Sequence, residues 1–253
     1  MLQQILLGAG PPPSGGNPIT YHTDNLVLNL DAGDSSNWIN GNTLVETVAG
    51  RNCVFANPSY TSDYGGGVRF SNNSIWDGGT FTTPSIESSN QTWEVWTNMT
   101  HQVTGYSDYT YIVHNNAAST STGASYLTIG IDPNSYYAAY NGSYSSMSSG
   151  ISGNYYNSNG NNTNYHIVVT WDGSWCRSYY QGANVVNYQA GGGHPSQNFS
   201  TTTTIGANNY DNTYNYREAV GTFYSLRIWD KVLTSAQILG NYNGNKGKFG
   251  LGS

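Results

Sequence analysis

Apolar and polar residues alternate with a period of two along most of this chain, the periodicity of half-buried strands. In LVLNLDAG, Leu26, Leu28 and Leu30 fall on one face and Val27 and Asn29 on the other. QTWEVWTNM sets Trp93, Val95 and Met99 against Glu94, Trp96 and Asn98. YHIVVTW sets Tyr165, Ile167, Val169 and Trp171 against His166, Val168 and Thr170. Asp172-Gly173 follows, a pair that favours a type I′ hairpin turn, so CRSYYQG is expected to pair back on YHIVVTW. Near the end, Phe223, Leu226, Ile228 and Trp229 make an apolar run closing at Asp230, and Thr234 with Gln237 forms a capping box that opens a short helix. Strands separated by Gly/Asn/Ser turns, with one late helix, predict an all-β fold: a two-layer antiparallel sandwich.

Composition adds the reason such a chain folds. Of 253 residues only 9% are charged, against about 25% in an average soluble protein. Solubility therefore rests on Asn, Ser, Thr and Gly. The 14% aromatic content, with 22 Tyr and 7 Trp, supplies the apolar area for a core. A net charge of −6 and 8 Lys plus Arg without a basic run exclude a phosphate-binding surface, so no nucleic-acid partner is expected. No apolar run is long enough to cross a membrane as a helix, so no membrane partner is expected either. Cys53 and Cys176 are the only cysteines, which excludes a cysteine metal cluster; each sits in an apolar run, and the sequence leaves open whether they pair.

The leading segment MLQQILLGAG has no positive charge and an apolar stretch too short for a signal-peptide core, so an unsecreted chain is expected. PPPSGGNP, Pro11 to Pro18, reads as a stiff-then-flexible linker. Residues 1–18 are thus expected to be an extended arm whose Met1, Leu2, Ile5, Leu6 and Leu7 anchor it to another protein, an ordinary frayed terminus being the alternative. Residues 19–253 are expected to form the sandwich domain.

The ordered set of strand motifs carries a resemblance. NLVLNLDAG resembles the opening strand of laminin-G-like domains in phage and bacterial surface proteins, VRF at Val68 to Phe70 their "sFdG" strand, and NYHIVVTWDGS their "WHHVVVTYDGS" hairpin. The closing strand and helix complete the order, so Leu26 to about Gly250 resembles a laminin-G / concanavalin A-like jelly roll. Tyr165 stands where Trp is usual, and Gln181-Gly182 replaces Asn-Gly.

That superfamily includes glucanases, which place two carboxylates on one strand as Glu-x-Asp-x-x-Glu; retaining glycosidases need the pair about 5 Å apart. None of Glu46, Glu87, Glu94 and Glu218 has an acidic residue two positions away. No Gly-x-Ser-x-Gly elbow or His-Glu-x-x-His spacing is present, and His101, His114 and His166 are isolated. The expectation is a chain without catalytic residues. Calcium is implied by the family alone: Asp132, Asp172, Asn209 and Asp211 do not cluster in sequence, and turn roles explain Asp132 and Asp172. No cofactor or metal ligand is therefore assigned.

Two Tyr-rich stretches have the composition of glycan-contacting loops, in which rings stack on sugars and Asn or Asp hydrogen-bonds the hydroxyls. YYAAYNGSY contributes Tyr136, Tyr137, Tyr140 and Tyr144, and NNYDNTYNY contributes Tyr210, Tyr214 and Tyr216. Tyr is equally a favoured strand residue, so strand or subunit packing is the other reading. Together the arm, the exterior-type composition and the resemblance imply a non-enzymatic virion surface protein of a tailed phage, a capsid decoration or appendage. Its expected partners are capsid or tail proteins, further copies of itself and surface glycans. A free bacterial lectin, a tail-fibre adhesin and, last, a glycosidase are the alternatives.

Overall fold

The structure is a computed structural model, and it describes residues 21–70, 78–86, 90–101, 110–115, 127–131, 135–140, 151–152, 164–189, 201–206 and 219–252. Two antiparallel sheets face each other. The first runs, in spatial order, through Ala183–Gln189, Trp175–Tyr180, Tyr165–Trp171, Gln91–Thr97, Ala219–Trp229, Gly67–Phe70 and Ser59–Thr61, with Leu26–Asp31 and Thr100–His101 also paired to Ala219–Trp229. The second runs through Ile151–Ser152, Ser135–Tyr140, Leu127–Ile131, Thr110–Asn115, Thr202–Ile205, Gly79–Thr82, Asn52–Phe55, Thr43–Val45 and Trp38–Ile39. This is the expected two-layer sandwich.

The core between the sheets follows the period-two reading closely. Trp93, Val95 and Met99 meet Tyr165, Ile167, Val169, Trp171, Phe223, Leu226 and Ile228 there, against Phe55, Phe81, Ile112, Val113 and Ile129 of the facing sheet. Leu26 departs from the reading. A bulge between Leu26 and Leu28 shifts the register against Ala219–Trp229, so Leu28 and Leu30 enter the main core while Leu26 joins Trp229 and Ile238 on the other side of the sheet. The hairpin at Asp172 forms as expected, with Trp171 opposite Cys176, but its turn type differs. Only Gly173, the first of two central residues, has a left-handed φ (84°), the pattern of a type II′ turn. Asp172 is kept extended because its Oδ1 accepts the N–H groups of Ser174 (3.0 Å) and Trp175 (2.6 Å), and its Oδ2 takes Nη1 of Arg177 at 2.6 Å.

Alternation alone predicts a solvated outer face, yet Gln91–Thr97 and Tyr165–Trp171 are buried on both faces. The cover is the helix Ser235–Asn245 and the tail behind it. The Thr234–Gln237 capping box closes as predicted. Leu233 and Ile238 pack on Val168, Tyr179 and Trp229, while Phe249 stacks on Trp96 with ring centroids 4.3 Å apart. Each such buried side chain contributes roughly 1.5–3 kcal/mol.

Between these two apolar patches lies a buried polar cluster. Arg227 Nη1 donates to Glu94 Oε1 at 2.6 Å, and Asn241 of the helix donates to Oε2 at 2.8 Å. Arg227 Nε donates to Asn29 at 3.0 Å, and the guanidinium lies 4.4 Å from the Tyr21 ring. His22 N–H donates to Asn241 at 2.8 Å. One ion pair thereby ties the first strand, two central strands, the helix and the residues at which the leading segment ends. Both free cysteines, Cys53 and Cys176, are buried and unpaired with each other, one in each sheet.

Replacing Glu94 by Gln strands a fully buried guanidinium. Urea unfolding at pH 7 is expected to give a loss of about 3–5 kcal/mol relative to the parent chain, with the far-ultraviolet spectrum of the surviving folded fraction unchanged.

Candidate functional site

The carboxylate that sequence reasoning weighed as catalytic, Glu94, belongs to the support under the helix. Burial acts to raise its pKa, but His166 (Nε2 at 3.4 Å from Oε2), the Arg227 charge and the Asn241 amide outweigh that and bring it down to about 2. A general acid needs the opposite shift. Its neighbours across the sheet are Val168 and Arg227, and two positions along its own strand, where a second carboxylate would sit, stands Trp96. His166 is buried with a ring-to-ring distance of 4.5 Å to Trp96. His114 is buried beside Tyr111, with centroids 4.5 Å apart, and His101 pairs with Ala219 at a strand start. Glu46 is a turn residue: its carboxylate accepts the N–H groups of Val48 and Ala49 at 2.7 and 2.8 Å and binds Arg51 at 3.0 Å. Glu87, Glu218, Asp132, Asn209 and Asp211 lie outside the described residues. Among those described, no group of three or more His, Cys, Asp or Glu could hold a metal ion.

The topology separates the two ends of the sandwich. At one end, Thr110 is opposite Ile131, Ile131 opposite Tyr136, and Ser135 opposite Ser152. Gly79 opposite Ile205, His101 opposite Ala219 and Phe70 opposite Gly221 complete that end. The Ala219 N–H donates to Gly206 O at 2.9 Å, pinning the points where 207–218 leaves and returns. Segments 71–77, 102–109, 132–134, 153–163 and 207–218 are all rooted here. At the other end, Asn115 is opposite Leu127 and Thr203, and Leu127 is opposite Tyr140. Segments 116–126 and 190–200 are rooted there, while 141–150 leaves from Tyr140 at that end and returns at Ile151, opposite Tyr136 at the first.

The segments rooted at the first end read SNNSIWD, QVTGYSDY, DPN, GNYYNSNGNNT and ANNYDNTYNYRE; those rooted at the second read NAASTSTGASY and AGGGHPSQNFS, and NGSYSSMSSG has one root at each. The first set is rich in Tyr, Asn and Asp, and the second in Ser, Gly and Ala. Of the predicted glycan contacts, Tyr136, Tyr137 and Tyr140 occupy the Ser135–Tyr140 strand, with Tyr136 at the first end and Tyr140 at the second. Tyr144, Tyr210, Tyr214 and Tyr216 lie outside the described residues; the segment of the last three has both roots at the first end, and that of Tyr144 has one root at each. Tyr106, Tyr109, Tyr155 and Tyr156 were not singled out from sequence. Their segments share the Tyr/Asn composition, but only the register brings the roots together. The predicted anchors Met1, Leu2, Ile5, Leu6 and Leu7 also lie outside the described residues.

Comparison with known proteins agrees with this architecture. The family described as the concanavalin A-like lectin/glucanases superfamily (Laminin_G_3) matches residues 71–239. No curated protein matches the chain in sequence. Among solved structures, Trypanosoma rangeli sialidase is 14% identical with a TM-score of 0.61, over 92% of this chain and 36% of its own. A structure of botulinum neurotoxin type C, whose uptake into cells depends on interaction with two ganglioside molecules, is 18% identical with a TM-score of 0.63, over 87% and 51%. The binding domain of botulinum neurotoxin DC in complex with rat synaptotagmin II is 16% identical with a TM-score of 0.62, over 87% and 51%. The chain thus spans a third to a half of the length of these proteins.

The depressed pKa of Glu94 sets an acid limit to folding. A carboxyl whose folded pKa lies below its ordinary value of 4.5 contributes stability that is complete above 4.5 and is lost as pH falls toward about 2. Unfolding free energies measured between pH 7 and pH 2.5 are expected to fall in that window, and the slope is expected to flatten by one proton in Glu94→Gln.

Proposed function

We propose that this chain, which belongs to the concanavalin A-like lectin/glucanases superfamily, is a non-enzymatic carbohydrate-binding module on the outer surface of a tailed-phage particle, held there by residues 1–18. The observation that carries the sugar-binding part is that Tyr-, Asn- and Asp-rich segments are rooted at one end of the sandwich. Aromatic faces with amide and carboxylate groups are what a pyranose needs: an apolar C–H face to cover and hydroxyls to satisfy. The non-enzymatic part is supported by Glu94, which lies beneath the helix with both oxygens engaged and its pKa lowered. The fold is shared with a sialidase and with neurotoxin domains, one of which interacts with gangliosides. That likeness supports sugar recognition as a use this architecture accommodates.

The surface location rests on other features: 9% charged residues, an Asn/Ser/Gly/Tyr exterior-type composition, and a short apolar arm on a Pro/Gly linker. Tyr21 and His22, which follow the arm in sequence, are held against Arg227 and Asn241. Neighbouring copies on a particle would add avidity to weak single-site sugar contacts.

Two measurements test this. On an oligosaccharide array, the chain is expected to bind, with affinity falling about tenfold in Tyr210→Ala/Tyr214→Ala and unchanged in Tyr126→Ala, whose segment is rooted at the other end. A chain lacking residues 1–16 is expected to keep its thermal midpoint and sugar binding but to be missing from assembled particles. Hydrolysis of an array polysaccharide that disappears in Glu94→Gln would replace the binding module with a glycosidase.

A further inference from the structure

We infer that the exposed ring of Tyr64 is a second carbohydrate contact, separate from the Tyr-rich end; this rests on the sugar-binding reading above. The starting observation is backbone conformation. Tyr64 has φ 53° and ψ 36°, in the left-handed region, which an aromatic residue with a Cβ rarely occupies. The next two residues, at φ 84° and 101°, are Gly65 and Gly66. The turn thus uses glycine where left-handed geometry continues, yet keeps a bulky ring where the conformation first becomes strained. Glycine or asparagine would hold the same backbone with less strain.

The surroundings hold the ring in place. It meets Tyr224 edge to face, with centroids 6.1 Å apart and planes at 83°. Tyr224 is itself buried, and its hydroxyl is fixed by Asn164 at 3.0 Å and Asn98 at 3.2 Å. On its other flank the ring lies against Gly250, where a Cβ would stand 2.6 Å from it. Gripped on two sides, Tyr64 still leaves 38% of its surface to solvent. Strained residues held by their surroundings concentrate at ligand contacts, and this one presents a preoriented aromatic face.

Polar groups frame that face. Asp63 and Arg69 have side chains 63% and 57% exposed and stand 3.9 Å apart, too far for a tight ion pair. Gly33 packs against the backbone of Gly65, bringing the Asp31–Asp34 turn alongside, and Lys248 lies 3.9 Å from Asp31. The exposed Asp63 carboxylate, next to Tyr64 in the chain, can accept from sugar hydroxyls and the exposed Arg69 guanidinium can donate to them, whereas Lys248 and Asp31 are mostly buried. The charges nearly balance, which suits a neutral hexopyranose better than an anionic ligand. Phe70 marks the Tyr-rich end of the Gly67–Phe70 strand, so this contact lies roughly 10 Å back along the sheet.

The test uses the full chain and calorimetric titration with soluble hexasaccharides of glucose, galactose and N-acetylglucosamine, and with sialyllactose. Tyr64→Gly and Tyr64→Asn, both compatible with left-handed geometry, are expected to stay folded and to lose about tenfold in affinity for a neutral hexasaccharide. Unchanged affinity in both variants, with the parent binding, would overturn the Tyr64 contact and leave the sugar-binding reading standing. No binding of any probe by the parent would overturn the reading itself. Should the Tyr64 variants unfold, Asp63→Asn with Arg69→Gln, both of exposed side chains, decides: weakened binding supports the contact and unchanged binding overturns it.

Discussion

The Glu94–Arg227 ion pair is the constraint around which this sandwich is organised. Either charge alone, sealed away from water, would carry a desolvation cost of several kcal/mol, so each is retained only with its partners in place. Those partners come from far apart in the chain: Asn29 from the first strand, Asn241 from the C-terminal helix, and Tyr21 from the residue where the described chain begins. Hydrophobic contacts on either side of the pair are non-directional and would tolerate a helix turned or slid by a residue. Hydrogen bonds from one carboxylate to an arginine and an asparagine do not.

Covering one face of a sheet has a functional consequence. With the outer face of Gln91–Thr97 and Tyr165–Trp171 closed by the helix and tail, the surface left open on this sheet is at the ends of the sandwich and at surface turns. Both places proposed for sugar contact lie there. One is the end where Tyr-rich segments are rooted. The other is the turn at Tyr64, beside the tail that seals the helix-covered face. The same packing that removes Glu94 from solvent also holds Tyr224 and Gly250 against the Tyr64 ring.

How legible each feature was in the sequence follows from whether its cause is local. Trp93 and Val95 alternate with Glu94 and Trp96, and that alternation was sufficient to assign the core side of their strand. Thr234 and Gln237 announced the helix start because a capping box is completed within four residues. Leu26 was misplaced because the bulge beside it arises from pairing with Ala219–Trp229, about two hundred residues away. Asp172 was given the wrong turn type because Arg177 and two backbone N–H groups compete for its carboxylate.

Sequence by itself therefore determined the central strands of the first sheet and their facing, the closing helix and the family, since each depends on neighbours within a few residues and on burial of alternate side chains; the strands of the second sheet were not assigned from it. Tertiary structure alone decided that Glu94 is a buried strut beneath the helix, that the segments carrying Tyr106, Tyr155 and Tyr210 are rooted at one end, and that Tyr64 stands strained and exposed. Those outcomes depend on strand register and on which distant surfaces meet. No local pattern encodes either, because a period-two repeat reads the same whether its outer face meets water or a helix.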